Sequence, residues 1–135
     1  MSKSNYLENE ILDHVLGGSD YTRPATVYVR LYLQSSAVGE AGGGTEVSGT
    51  DYAPVAVTNN ATNWPAASGG AKSNGTVIDF GTVGSGGWGQ VGSFGIWDAS
   101  TSGNLLYYGS LGTPKTLDAG DTCTFPIGAL DITED

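Results

Sequence analysis

The chain is poor in residues that carry chemistry or covalent cross-links. It has one cysteine, one histidine and one methionine in 135 residues. Because Cys123 has no partner, we expect a small apolar core residue, with an intersubunit disulfide or a reactive thiol as alternatives. Zinc-type sites need several His or Cys ligands, so no such site is predicted. His14 stands beside no Ser or Cys nucleophile, and no catalytic triad is predicted.

Basic residues are also scarce. Five Lys and Arg face 14 Asp and Glu, which gives a formal net charge of −9. This charge repels nucleic-acid phosphates and anionic lipid headgroups, so we expect neither nucleic acid nor membrane as a partner. The longest apolar runs are far shorter than the ~20 residues of a membrane-spanning helix. The first residues, MSKSNYLENE, contain no apolar secretion segment, and we expect assembly in a cytoplasm.

Glycine, by contrast, is abundant. The 22 glycines, together with aromatic and β-branched residues spread along the chain, are typical of one all-β domain with many tight turns. The strongest strand signal is an alternation of apolar residues with aromatic or basic ones: Val27, Val29, Leu31 and Leu33 against Tyr28, Arg30 and Tyr32. We expect one face of this strand to be buried and the other to lie beneath a loop or meet another protein.

Residues 88–111, WGQVGSFGIWDASTSGNLLYYGSL, predict two strands joined by a polar hairpin loop. Phe94, Ile96, Leu106 and Tyr108 recur at every second position, so we expect them to share one face of the sheet. Trp97 and Tyr107 have the opposite parity and remain available for contact with a partner.

Two further aromatic residues lie near long polar loops. Trp64 precedes Pro65 in such a loop and is expected to be the most exposed tryptophan. Tyr52 begins a predicted short strand, residues 52–57, in which Pro54 favours an edge position. In total, about eight short strands predict a jelly-roll-like β-sandwich over residues 24–135, within a single domain of residues 1–135.

One short amphipathic helix is predicted within residues 1–18. Asn5 and Glu8 have the spacing of a capping box, and Gly17 and Gly18 follow an apolar stripe formed by Leu7, Ile11, Leu12, Val15 and Leu16. Two alternatives stay open, because the helix either packs on its own domain or docks on a neighbouring subunit. Tyr6, Leu7 and Ile11 are the residues that we expect to dock.

Acidic pairs are the remaining candidates for chemistry. Asp118 with Asp121, or Asp79 with Asp98, have the residue types of a glycosidase, and the first pair also those of a calcium site. A chain of this length is not expected to form the deep cleft of a sugar-active enzyme, and LDAGD is an ordinary turn sequence. GEAGGGTE lacks the lysine of a phosphate-binding loop. We therefore predict no enzyme, no metal and no cofactor, with a carbohydrate-binding or hydrolytic module as a remote alternative.

Several segments together resemble a family of short bacteriophage virion structural proteins, often labelled tail-fibre or minor structural proteins. They are ILDHVLGG, TRPATVYVRLYL, GGGTEVSGTDYAPVAV, residues 88–111 and LDAGDT. Pro54 departs from the regular strand residue expected in similar sequences. The resemblance implies a protein of the virion, assembled in the host cytoplasm.

Two functions are compatible with this resemblance. We expect a non-enzymatic capsid decoration or cement protein, with a tail, neck or fibre component as the alternative. The expected partners are the phage major capsid protein or other virion subunits, and further copies of the chain in a homo-oligomer. The candidate protein–protein interface comprises Tyr6, Leu7, Ile11, Tyr52, Trp64, Trp97 and Tyr107.

Overall fold

A computed structural model describes residues 2–134 and confirms an all-β domain with one short N-terminal helix. These described residues form nine strands where about eight were expected. The elements, in chain order, are β1 (Ser2–Lys3), α1 (Asn5–Leu16), β2 (Thr26–Leu33), β3 (Val55–Thr58), β4 (Ala71–Ser73), β5 (Ile78–Thr82), β6 (Gly89–Trp97), β7 (Leu105–Leu117), β8 (Thr122–Phe125) and β9 (Asp131–Thr133).

The largest sheet contains five antiparallel strands in the order β1-β7-β6-β2-β3. The predicted hairpin is confirmed as β6 and β7, and β3 lies at the sheet edge, directly after Pro54. Two further antiparallel pairs, β4 with β9 and β5 with β8, form separate small sheets. These three sheets do not confirm the jelly-roll arrangement, which stays a prediction.

The main core lies between the five-stranded sheet and the two small sheets. Val29 and Leu31 of β2 are fully buried in it, as the alternation along this strand predicts. Phe94 of β6 meets Phe125 of β8 edge to face, with ring centroids 5.6 Å apart. Each such buried side chain contributes about 1.5–3 kcal/mol through removal of apolar surface from water.

The other face of β2 lies beneath the β6–β7 loop. The Arg30 guanidinium stands 4.2 Å from the centre of the Trp97 ring. Its Nη2 donates hydrogen bonds to the carbonyl oxygens of Ala99 and Ser102, the latter at 2.8 Å. A second, smaller cluster forms on this face, comprising Tyr32, Val38, Leu105, Trp97 and Tyr108. The arginine therefore ties the hairpin loop to the sheet.

The prediction that Tyr108 shares a face with Phe94 and Ile96 is wrong. Ile96 pairs with Tyr107 and Trp97 pairs with Leu105, so Leu106 is an extra residue in β7. This bulge moves Tyr107 to the face of the main core and Tyr108 to the Trp97 side. A bulge changes which face every following residue occupies, and simple alternation does not reveal it.

Helix α1 begins one residue earlier than the capping-box spacing predicts. Ser4 is the N-cap, and its Oγ accepts a hydrogen bond from the Leu7 amide at 3.1 Å. The same hydroxyl donates to the carbonyl oxygen of Leu105, which joins the helix start to β7. The helix ends at Leu16, and Gly17 follows it as predicted. A Cβ at Gly17 would lie 2.6 Å from the Asp13 carbonyl oxygen.

Candidate protein-contact surface

Three apolar side chains at the end of helix α1 are exposed. Leu12, Val15 and Leu16 show 57%, 67% and 82% of their surface to solvent. Their spacing of three and four residues places them side by side on the helix, and we call these three residues the helix patch. Single exposed apolar residues are common, whereas a contiguous group is typical of a protein-contact surface.

Acidic residues surround the helix patch. Glu8 precedes Leu12 by one helical turn, Asp13 follows it directly, and the side chain of Asp20 is 98% exposed. The His14 Nδ1 accepts a hydrogen bond from the Tyr21 amide at 3.2 Å, which holds the chain after the helix. The patch is thus apolar at its centre and negative around it.

The predicted docking residues of the helix lie on its other side. Leu7 is only 4% exposed and belongs to the main core, against which Tyr6 and Ile11 are partly buried. The structure therefore brings these three residues together on their own domain. The apolar stripe did indicate the helix patch, but it did not distinguish the covered from the uncovered residues.

The expectation that Trp64 is the most exposed tryptophan is wrong. Its side chain is 7% exposed, whereas Trp97 is only partly buried. The loop after β3 folds back on itself, with the Trp64 amide bonded to the Asn60 carbonyl at 2.9 Å. Trp64 then packs into the main core, and its buried Nε1 has no hydrogen-bond partner within residues 2–134.

Tyr52, another predicted interface residue, is partly buried and packs against the main core. Its ring packs edge to face on Trp88, with centroids 5.3 Å apart. The hydroxyl accepts a hydrogen bond from the Leu31 amide at 3.0 Å and donates one to Glu46 at 2.9 Å. Burial, with the nearby Glu46 carboxylate, raises the pKa of Tyr52 above its usual value. Because the ring is partly buried and the hydroxyl is bonded within the domain, a role of Tyr52 at an interface stays a prediction.

A cavity of about 250 Å³ lies beneath helix α1 and has Trp64 in its wall. We call it the Trp64 pocket. Leu7 and Ile11 line it from the helix, and Arg23 and Lys72 bring two positive charges to it. Tyr107, another predicted interface residue, lines it as well.

The Tyr107 hydroxyl donates a hydrogen bond to Glu134 Oε1 at 2.9 Å, and Lys3 forms an ion pair with the same carboxylate. Burial, and the bond to Glu134, raise the pKa of Tyr107 above its usual value. This cluster fastens the segment before α1 to the end of the described chain.

A second cavity, of about 520 Å³, opens between β7 and β8 and includes Cys123 and Lys115 in its lining. Cys123 is a partly buried free thiol that packs against the main core. Burial is the larger cause that raises the pKa of this thiol, and the nearby Asp79 carboxylate raises it further. A protonated thiol is a poor nucleophile, which agrees with the expected packing role.

The acidic pairs considered for chemistry bond to the backbone close to them in sequence. Asp121 accepts a hydrogen bond from the Asp118 amide at 2.8 Å, as an ordinary turn requires. Asp79 accepts from the Gly81 amide at a bulge in β5, and Asp98 accepts from the Asn104 amide across the β6–β7 loop, each at 2.7 Å. Within residues 2–134, no three His, Cys, Asp or Glu side chains are placed to hold a metal ion. No described helix is long and apolar enough to cross a membrane.

These features define a small all-β domain with a short, firmly attached helix whose end exposes apolar side chains. A family model described as "Podophage GP4 fiber I protein gp80" matches residues 2–133, and the chain belongs to this family. The resemblance to phage virion structural proteins is thereby confirmed, and the match favours the fibre alternative over capsid decoration. No curated protein matches the chain.

Proposed function

We propose that the protein is a non-enzymatic structural component of a phage tail fibre, and that the helix patch docks it on another virion subunit. The family match over residues 2–133 carries the fibre assignment. The exposure of Leu12, Val15 and Leu16 supports the choice of docking surface. A fibre component acts by holding other proteins in place, and the domain offers a rigid body for that purpose.

The start of helix α1 holds the helix patch in a fixed orientation. The Ser4 amide donates to the Leu106 carbonyl at 2.9 Å, and the Asn5 amide donates to the Glu40 carbonyl at 3.1 Å. Leu7 anchors the same turn in the main core. A preordered surface loses less conformational entropy on binding, which favours docking through a small contact.

Charge indicates what kind of partner fits the helix patch. The patch is bordered by Glu8, Asp13 and Asp20, and the whole chain carries a formal charge of −9. A second copy that used the same patch would bring these acids against each other, which costs free energy. We therefore propose an apolar groove with basic residues at its rim, on a different virion subunit. The predicted homo-oligomer would use another surface.

A label on intact particles tests the fibre assignment. The loop of residues 65–70 is exposed and far in sequence from α1, so a short tag can be inserted between Ser68 and Gly69. Gold particles directed against the tag should appear at the tail and its fibres in electron micrographs. Label spread over the whole head would contradict the proposal and favour capsid decoration.

Particles that lack the protein provide a second measurement. We expect them to keep the heat resistance of the head and to lose adsorption to the host. Normal adsorption combined with heat-sensitive heads would contradict the fibre assignment.

A further inference from the structure

We propose that the Trp64 pocket binds an apolar group that carries a carboxylate, with Arg23 and Lys72 facing the negative charge. This inference rests on the pocket alone and does not depend on the fibre assignment. Two kinds of molecule carry an apolar group with a carboxylate, namely a free carboxylic acid and the C-terminal residue of another polypeptide.

The walls of the pocket suit an apolar group. Leu7, Ile11, Trp64, Leu106 and Ile132 line it, and all five belong to the main core or pack against it. Its volume of about 250 Å³ is below the range of roughly 300–1,000 Å³ that is typical of sites for drug-sized ligands. The pocket therefore fits a single aliphatic or aromatic group with a short polar end.

The two cations at the pocket are unusual in so acidic a chain. Arg23 and Lys72 are two of only five Lys and Arg residues. In the part of the chain that the structure describes, the ion pair made by a Lys or Arg is that of Lys3 with Glu134, so neither pocket cation has a carboxylate partner. Two unpaired positive charges beside apolar walls favour an anionic ligand with an apolar body.

Backbone carbonyl groups hold both cations at the pocket without neutralising them. The Arg23 Nη1 donates to the Asn59 carbonyl at 2.7 Å, and the Lys72 Nζ donates to the Trp64 carbonyl at 3.5 Å. The nearby Glu134 carboxylate is occupied by Lys3 and Tyr107. The carboxylate of a ligand would thus supply the charge that the pocket lacks.

A titration followed by NMR tests this proposal on the full chain. The indole N–H signal of Trp64, assigned by triple-resonance experiments, reports binding in the pocket. The probes are 4-methylpentanoate as a free acid, N-acetyl-leucine as a model of a polypeptide C-terminus, and N-acetyl-leucinamide as the uncharged control. We expect at least one acid to shift this signal with a millimolar dissociation constant, and the amide to bind about tenfold more weakly.

The two acids distinguish the sources. Tighter binding of N-acetyl-leucine favours the end of a polypeptide, whereas tighter binding of 4-methylpentanoate favours a free acid. Either result supports the proposal. Failure of both acids to shift the Trp64 signal, or equal binding of the amide, would overturn it.

Variants test the role of charge. Arg23→Gln combined with Lys72→Gln should weaken binding of the acids about tenfold or more and leave the amide unaffected. Lys115→Gln is the matched control, since Lys115 lines the separate cavity between β7 and β8. Undiminished binding of the acids by a folded double variant would overturn the proposal. Arg23 and Lys72 are not among the buried residues, so we expect the double variant to fold.

Discussion

The two halves of helix α1 have different surroundings although one apolar stripe runs through both. In the first half, Leu7 is buried in the main core and Ser4 bonds both to the helix and to β7. In the second half, Leu12, Val15 and Leu16 face solvent. The difference shows that the same sequence pattern serves folding at one end of a short helix and remains available for binding at the other.

This difference has an energetic meaning. Burial of Leu7 contributes to the stability of the isolated domain, because its surface leaves water when the chain folds. The helix patch keeps its surface in water after folding, so its hydrophobic free energy is released only when a partner covers it. At about 25 cal/mol per Å² of apolar surface, covering the patch would stabilise a complex without changing the stability of the free domain.

Leu7→Ala should separate the two halves most clearly. The variant leaves a cavity in the main core, and we expect the free energy of unfolding to fall by about 2–4 kcal/mol. Urea denaturation followed by tryptophan fluorescence measures this change. Leu12→Ala is the matched control and should stay within about 0.5 kcal/mol of the original protein. Equal losses in the two variants would show that the second half also belongs to the core.

Ser4→Ala should have the next largest effect. The change removes the N-cap of α1 and the hydroxyl that donates to the Leu105 carbonyl. We expect the free energy of unfolding to fall by about 1–2 kcal/mol. Ser19→Ala, at an exposed position after the helix, should have almost no effect in the same denaturation experiment. If the two serine variants behave alike, the start of the helix is not fastened as the structure indicates.

Tyr107 allows a test by pH. Its hydroxyl donates to the Glu134 carboxylate, which also forms the ion pair with Lys3, just before α1. The pKa of Tyr107 is raised in the folded protein from a usual value of 10.0. A raised pKa contributes stability that is complete below pH 10 and is lost as the pH rises further. We expect Tyr107→Phe to lose less stability than the original protein between pH 7 and pH 11, as measured by urea denaturation. Identical losses would contradict this role of Tyr107.

Local patterns predicted much of the fold. The alternation in β2, the β6–β7 hairpin and the extent of α1 depend on neighbours within a few residues, so the sequence alone indicated them. The face of Tyr108 and the burial of Trp64 did not follow from such patterns. The first depends on an extra residue, Leu106, in the pairing of β6 with β7, and the second on a loop that folds back onto the core.

The candidate surface could be predicted only in part for the same reason. The apolar stripe of α1 contains the helix patch, but the covered side of the helix is determined by the position of β7. The cations of the Trp64 pocket come from distant parts of the chain, because Arg23 precedes β2 and Lys72 lies in β4. Only the folded chain brings them together beneath the helix.

The helix patch itself provides the test with the smallest effect on folding and a specific effect on assembly. In the triple variant Leu12→Gln, Val15→Gln and Leu16→Gln, each change should alter the free energy of unfolding by no more than about 0.5 kcal/mol, because the three side chains are exposed and glutamine favours helices. We expect the variant to be lost from purified particles, as measured by mass spectrometry relative to the major capsid protein.

The matched control is Val77→Gln with Ile127→Gln, which changes exposed apolar residues elsewhere and should leave incorporation unchanged. Normal incorporation of the triple variant would exclude the helix patch as the docking surface, whereas unfolding of the isolated variant would show that the second half of α1 stabilises its own domain.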